Sequence, residues 1–345
     1  MADKTLNVLY QSSDEYAPFA GVSILSLLKN NCRDDILITI YYIDDGVSPK
    51  NRAKIQQIVE ENHVRIVFLD MGFAVTLLEN LNISTYRGSY STYLKLFAIN
   101  ALPQDVKRIL YIDSDTIIVG DISELIDYDM NGNIIGMVAL NTLFVHLPQQ
   151  IELSMEIPYF NAGLILFDTE KWKNENIQEL LTTSLENTAL VFHADQSLLN
   201  IALRRKIQPL PQKFNTPTPY SFLPLPILLK STLQSKLYFL QELEEMKADT
   251  RIRHEYLFLS ERPWHKNSIH PDAKLFDHYL AKSPWKDYQK QTASTGLVFR
   301  IGKFLYRVLP RSLFCYIYAW QANKENLKID KRVVQKIQMC NIVDT

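Results

Sequence analysis

A chain of 345 residues with 47% hydrophobic and 22% charged residues has the make-up of a globular protein, long enough for one large α/β domain with additions or for two domains. Its formal net charge of −1 supplies no basic field and argues against nucleic acid as a partner. Cys32, Cys315 and Cys340 lie far apart, which excludes a disulfide framework or zinc ribbon and fits a reducing compartment.

The N-terminal residues carry no signal-peptide core. No run of about 20 apolar residues predicts a bilayer-crossing helix. The pattern then alternates. Leu6–Tyr10 reads as a buried strand and Ala17–Lys29 has apolar residues at helical spacing. Ile36–Ile43 is β-branched and aromatic, as strands are. Ser48-Pro49 opens a helix that ends near Asn62, with Ser48 as N-cap and Pro49 in the first turn. Arg65–Leu69 is a third strand, and this order predicts a mostly parallel sheet with helices on both faces. Residues 71–90 lack clear periodicity and read as a loop over a site. A helix is expected at Ser91–Ile99 and strands at Arg108–Ile112, Ile134–Val138 and Gly163–Phe167. Helices are expected near 169–186, 195–204 and 232–247, with an irregular, proline-rich crossover over 209–226.

The stretch RILYIDSDTIIVG ends an apolar strand in two carboxylates, Asp113 and Asp115. If the chain stays extended, the two point to one side and can hold one cation. Ligands of open α/β sheets collect at the carboxyl ends of strands, where Asp113 begins. Hard carboxylate oxygens suit Mg²⁺ or Mn²⁺ that also carries phosphate. A second Asp-X-Asp, Asp127 and Asp129, runs into a MetAsnGly turn and reads as a solvated loop. None of the ten glycines forms GxGxxG or GxxxxGK[ST], so a bound phosphate must be neutralised by metal and cationic side chains.

Four stretches carry a family likeness: LYQSSDEYAPFAGVSILSLL, STYLKLFAINALPQDVKRILYIDSDTIIVGDISEL, YFNAGLILFDTEKW and HADQSLLNIAL. In order and spacing the chain resembles glycosyltransferase family 8, which includes bacterial lipopolysaccharide galactosyl- and glucosyltransferases and glycogenin. The resemblance spans residues 5–285. It implies a GT-A catalytic domain over 1–285; beyond Trp285 the likeness ends, and residues 286–345 read from their own pattern as a basic amphipathic helical tail. The implied activity is retaining transfer of a hexose from a UDP-sugar to a glycan or lipid-linked acceptor, with Mn²⁺ (or Mg²⁺) as cofactor.

By that resemblance Asp113, Asp115 and His254 are the metal ligands, and Asp113 and Ser114 lie near the ribose. Arg262-Pro263-Trp264 replaces the family's LysProTrp, with Arg262 set to grip the diphosphate. Here the family's glycine is absent and the spacing from His254 is two residues longer; His265 and His270 are nearby competitors. Ser12, Ser13, Asp14 and Tyr16 match the uridine pocket, Asp14 for the uracil imide unless Ser13 holds that place. Lys95 stands where the family carries an arginine near the donor sugar, and Asn161, Ala162 and Gly163 match the sugar-contacting triplet. Asp195 would hold a hexose hydroxyl and Gln196 would lie by the anomeric carbon. Leu140-Asn141 occupies the place of a family aspartate. An amide at Gln196 is a poor nucleophile, which favours same-face substitution over double displacement.

In the tail, Arg300, Lys303, Arg307 and Arg311 recur at helical spacing beside aromatic and aliphatic residues, with Pro310 as a break. That pattern suits a helix on an anionic membrane and predicts a cytoplasmic protein, peripheral on the inner face; the alternative is a C-terminal helix packed on the domain with a basic outer edge. Two other readings compete: a sugar-1-phosphate nucleotidyltransferase, which would need a Gly-rich loop, and a degenerate family member that only binds nucleotide-sugar or serves as a membrane partner. The altered His254–Arg262 segment is the support for the last.

Overall fold

The computed structural model describes residues 4–86, 88–139, 158–185, 194–231, 240–293 and 296–343. Its first part is β1 (Lys4–Ser13), α1 (Ala17–Asn31), β2 (Ile36–Asp45), α2 (Pro49–Glu61), β3 (Arg65–Leu69), α3 (Gly72–Asn80), α4 (Ser91–Ala101), β4 (Arg108–Ile112) and β5 (Thr116–Ile118). There follow β6 (Ile135–Ala139), β7 (Phe160–Asp168), α5 (Thr169–Asn174), α6 (Ile177–Leu185), α7 (Ala194–Ala202), β8 (Ile207–Leu210) and β9 (Thr216–Pro217). The last are α8 (Thr218–Phe222), α9 (Leu225–Ser231), α10 (Leu240–Ala248), β10 (Ile252–His254), α11 (Ala273–Leu280), α12 (Leu297–Val308) and α13 (Arg311–Val343).

Seven strands form one sheet in the order β3-β2-β1-β4-β7-β6-β8. Strands β3, β2, β1 and β4 are parallel, β7 is antiparallel to both β4 and β6, and β8 is parallel to β6. The mostly parallel reading therefore holds, with β7 as the reversed strand. Helices cover both faces, which is why the middles of the central strands are mainly apolar. Side chains alternate accordingly: Val8 and Tyr10 join the core under α1 and α2, while Leu9 and Tyr111 join the core under α4. A small second sheet, β5-β10-β9, crosses the carboxyl end of β4 and brings His254 opposite Thr116.

Several element expectations change. The stretch read as loop contains α3, whose residues Ala74 and Leu78 are buried four apart. The predicted helix near 169–186 is two helices, because Asn176 between them adopts φ of 51°. The Pro-rich crossover carries β8, β9, α8 and α9. Residues 232–239 of another expected helix, and the Leu140-Asn141 position, lie outside the described residues.

Candidate active site

A cavity of about 440 Å³ opens at the carboxyl ends of β1 and β4. Ser12, Ser13 and Tyr16 line one side, Asp113, Ser114 and Asp115 the floor, and Lys95, Asn161, Ala162, Gly163, Asp195 and Gln196 the far wall. The two aspartates do not converge by strand alternation. β4 ends at Ile112, the chain turns, and the Thr116 hydroxyl closes the turn by donating to the Asp113 carbonyl at 2.8 Å. The backbone N–H of Asp113 still reaches across to the Gly163 carbonyl at 2.9 Å, so the turn is pinned to β7.

Buried His254, at the end of β10, meets both carboxylates. Its Nε2 lies 3.2 Å from Asp115 Oδ1 and 3.7 Å from Asp113 Oδ2. Gly163 makes this approach possible: a Cβ there would sit 2.2 Å from His254 Cε1. The remaining oxygens are also engaged. Asp113 Oδ1 accepts from the Tyr111 hydroxyl at 2.6 Å, and Asp115 Oδ2 lies 2.9 Å from Arg262 Nη1. Burial alone would raise the Asp115 carboxyl, but His254 and Arg262 hold it well below the usual range. One ligand atom from each of Asp113, Asp115 and His254 falls within 4.8 Å of the others. Two hard oxygens and an imidazole nitrogen, open to a cavity, fit Mn²⁺ or Mg²⁺. A second group, Glu255, His270 and Asp272, is equally close-set but wholly buried. There His270 Nδ1 accepts from the Asp272 N–H and Nε2 donates to the Tyr256 carbonyl, so both ring nitrogens are engaged.

Lys95 is buried on α4, 2.8 Å from Asp195 Oδ2 and 3.7 Å from Asp113 Oδ1. Burial would lower its ammonium, but the two carboxylates outweigh this and keep it charged, above its ordinary value. Gln196 is oriented by its surroundings: Oε1 accepts from Asn161 Nδ2 at 3.0 Å and from the Ala162 N–H at 3.3 Å. Asn161 sits at the cavity wall, yet its amide is fully used inside the protein. Oδ1 accepts from the Gly163 N–H and Asn215 Nδ2, and Nδ2 donates to Gln196 Oε1 and the Tyr256 hydroxyl. It braces the cavity wall that it also lines.

Asp14 is turned away from the cavity. Its Oδ1 accepts from the Ser48 N–H and Asn51 Nδ2, both at 2.8 Å, beside the Ser48 N-cap of α2. Those bonds, led by the ones from Ser48, hold the Asp14 carboxyl below its ordinary value. Ser13 lines the cavity in its stead, with Asp45 at the end of β2. Ser12 is hydrogen-bonded to the Tyr42 hydroxyl, and Ser114 donates to the Gln11 carbonyl, so both are structural struts as well as lining. Tyr16 packs edge-on to Phe19 at 5.4 Å.

The long His254–Arg262 segment has a simple shape. Phe258 and Glu261 exchange backbone hydrogen bonds of 2.9 Å around Leu259 and Ser260, which have φ of 49° and 66°. Two successive positive φ values make the tight hairpin that absorbs the added length. Its tip is the anchor of the C-terminal helices: Phe258 packs 4.8 Å from Phe222 and 5.3 Å from Tyr306, and Lys303 pairs with Glu261 at 2.5 Å. Past the hairpin, Trp264 stacks on Phe19 at 4.2 Å. Between them Arg262 is directed onto Asp115 and the Glu255 carbonyl, behind the cavity wall. The altered spacing thus leaves His254 and Arg262 both at Asp115, and the degenerate reading loses its support.

Residues 7–268 match the family described as glycosyl transferase family 8. The chain belongs to glycosyltransferase family 8. Among family relatives, it is 29% identical over 300 residues to the lipopolysaccharide 1,2-glucosyltransferase of Escherichia coli K12, covering 86% of this chain and 83% of that protein. It is 27% identical to general stress protein A of Bacillus subtilis, over 82% of this chain and 96% of that one. The fold is that of galactosyltransferase LgtC, solved in complex with donor and acceptor sugar analogs. The TM-score is 0.67 at 19% identity, over 86% of this chain and 99% of that one. Bifunctional WbbM gives 0.64 at 19% identity, over 84% of this chain and 52% of that one. This family 8 chain therefore has a GT-A fold. Beyond the family's residues, the site depends on Tyr111, Asn215 and Tyr256. Sequence reasoning missed them because a strand tyrosine, a residue in a Pro-rich crossover and an aromatic after β10 carry no local signal.

Proposed function

We propose that this chain is a retaining, metal-dependent hexosyltransferase that moves glucose or galactose from a UDP-sugar to a glycan or lipid-linked acceptor. The observation that carries the reading is the Asp113–Asp115–His254 group facing Lys95, Asp195 and Gln196 across one cavity. Relatives named lipopolysaccharide 1,2-glucosyltransferase and 1,3-galactosyltransferase support a hexose donor and a surface-glycan acceptor.

A divalent cation held by the three ligands would neutralise charge developing on the departing diphosphate. Lys95, charged and desolvated, adds a fixed positive group at the same wall. Arg262 braces Asp115 and holds its carboxylate in place. Gln196 has its oxygen occupied by Asn161 and the Ala162 N–H, and Asp195 is tied to Lys95. Of the other lining carboxylates, Asp113 and Asp115 belong to the metal group and Asp45 accepts from the Ser91 hydroxyl, so each described lining carboxylate already has a partner. Same-face substitution follows. The bond from the anomeric carbon to UDP breaks, the acceptor oxygen bonds to that carbon, and its proton passes to the departing phosphate.

The acceptor would be met at an anionic membrane, on its inner face. In support, α12 exposes Leu297, Ile301, Phe304 and Val308 along one face, and α13 adds Leu313, Tyr316 and Trp320. Arg300, Arg307 and Arg311 are exposed beside them, Arg311 with its guanidinium 4.1 Å over Phe222, whereas Lys303 pairs with Glu261. No helix among the described residues is long and apolar enough to cross a membrane.

The direct test is UDP release from a panel of UDP-sugars, with Mn²⁺ and with chelator, for wild type and Asp115→Ala. Mn²⁺-dependent release from one UDP-hexose, abolished in the variant, is the expected result. Absence of both release and Mn²⁺-dependent UDP binding in the wild type would sink the reading.

A further inference from the structure

A histidine binds a cation only through a nitrogen that carries no proton, and its other nitrogen decides which one that is. His254 Nε2 faces Asp113 and Asp115, so Nδ1 must hold the proton. The structure contains a chain of hydrogen bonds that enforces this, starting from a group whose polarity is not negotiable. The backbone N–H of Gly163 can only donate, and it donates to Asn161 Oδ1 at 2.9 Å. With its oxygen so fixed, Asn161 accepts at that same oxygen from Asn215 Nδ2 at 2.6 Å. Asn215 must then turn its own oxygen to His254, where Oδ1 lies 2.9 Å from Nδ1. That oxygen can only accept, so Nδ1 carries the proton and the Nε2 lone pair is aimed at the carboxylates. From the same Asn161, Nδ2 reaches Gln196 Oε1 at 3.0 Å, which ties the orientation of Gln196 to the same origin.

We propose that Asn215 is a positioning residue that locks His254 in the Nδ1–H tautomer and so makes Nε2 a metal ligand, with Asn161 as the relay from the Gly163 backbone. Asn215 is 3% exposed and Asn161 7%, so water does not offer the imidazole a substitute partner. This rests on the metal-dependent reading above, but the tautomer is a property of the protein that can be read without turnover. Asn215→Leu keeps the volume and removes both ends of the link. With no acceptor at Nδ1, His254 shifts its proton to Nε2, which then donates to Asp115 and competes with the cation. Asn215→Asp keeps an acceptor for Nδ1–H but loses the donor to Asn161.

The experiment is nitrogen NMR of isotope-labelled histidine rings at mildly alkaline pH with Mg²⁺ present, with His254→Gln used for assignment, together with Mn²⁺ titration of each variant. Wild type is expected to show a protonated Nδ1 and an unprotonated Nε2. Asn215→Leu is expected to raise the Mn²⁺ Kd by about 10–100-fold, with Asn215→Asp within about threefold of wild type. A proton on Nε2 in the wild type overturns the proposal, as does an unchanged Kd in Asn215→Leu, or an Asn215→Asp Kd as weak as that of the leucine variant. Should Asn215→Leu not fold, the wild-type tautomer and the aspartate variant still decide. A wild type that binds no Mn²⁺ sinks the metal-dependent reading, while its ring spectrum continues to judge Asn215.

Discussion

Gly163 and His254 show how tightly single residues set the site. A methyl group at Gly163 would fall 2.2 Å from His254 Cε1 and 2.8 Å from Asn161 Oδ1, so the imidazole must move. Gly163→Ala is expected to cost about 1–3 kcal/mol of stability. It should also weaken Mn²⁺ binding by about tenfold or more, measured by titration on the folded variant. A second histidine gives a pH prediction. Burial pulls the His270 imidazole down to about 4, against the opposing bond to the Tyr256 carbonyl and the charge of Asp272. The unfolded chain, with an imidazole near 6.5, binds this proton more readily than the folded protein does. Stability from the neutral ring is therefore complete above about pH 6.5 and is lost as pH falls toward about 4, by at most about 3 kcal/mol. Urea denaturation across that window should show a steeper decline for wild type than for His270→Gln. Parallel curves would mean that the ring is not held neutral.

At the scale of elements, the hairpin at 257–261 joins two parts of the molecule that the sequence presents as separate. Phe258 is fully buried against Phe222, Tyr306, Phe314 and Tyr318, and Leu259 lies where a side chain on Gly302 would intrude. Phe258→Ala should cost about 3–5 kcal/mol by emptying this cluster. It should also speed proteolytic cleavage in the stretch between α11 and α12, because the aromatic contacts of α12 and α13 converge on Phe258. An unchanged thermal midpoint and cleavage rate would show that the helices are held elsewhere.

For the whole molecule, that hairpin links the part that carries the cavity to the helices that carry the exposed apolar row. If the row is the membrane surface, Ile301→Asp with Phe304→Asp should abolish sedimentation with anionic vesicles while leaving UDP release from soluble donor unchanged. Both side chains are exposed, at 51% and 62%, so folding should tolerate the change. Equal sedimentation of variant and wild type would remove the row from any membrane role.

The sequence by itself determined the alternating strands and helices, the Ser48 cap of α2, the family, and the metal carboxylates at the end of β4. These are legible because apolar periodicity, capping chemistry and a charged pair at a strand end are local signals. It also left Asp14 and Ser13 as alternatives, missed α3, and carried no sign of the hydrogen bonds that Asn161 makes inside the protein. Those points turn on which partner a side chain finds across the fold: Ser48 and Asn51 for Asp14, Asn215 and Gly163 for Asn161. Asn215 lies 54 residues from Asn161 and 39 from His254, so its oxygen meets Nδ1 only after β9 and β10 pair beside β5. Hydrogen-bond direction depends on three-dimensional neighbours, and that is what the tertiary structure alone decided.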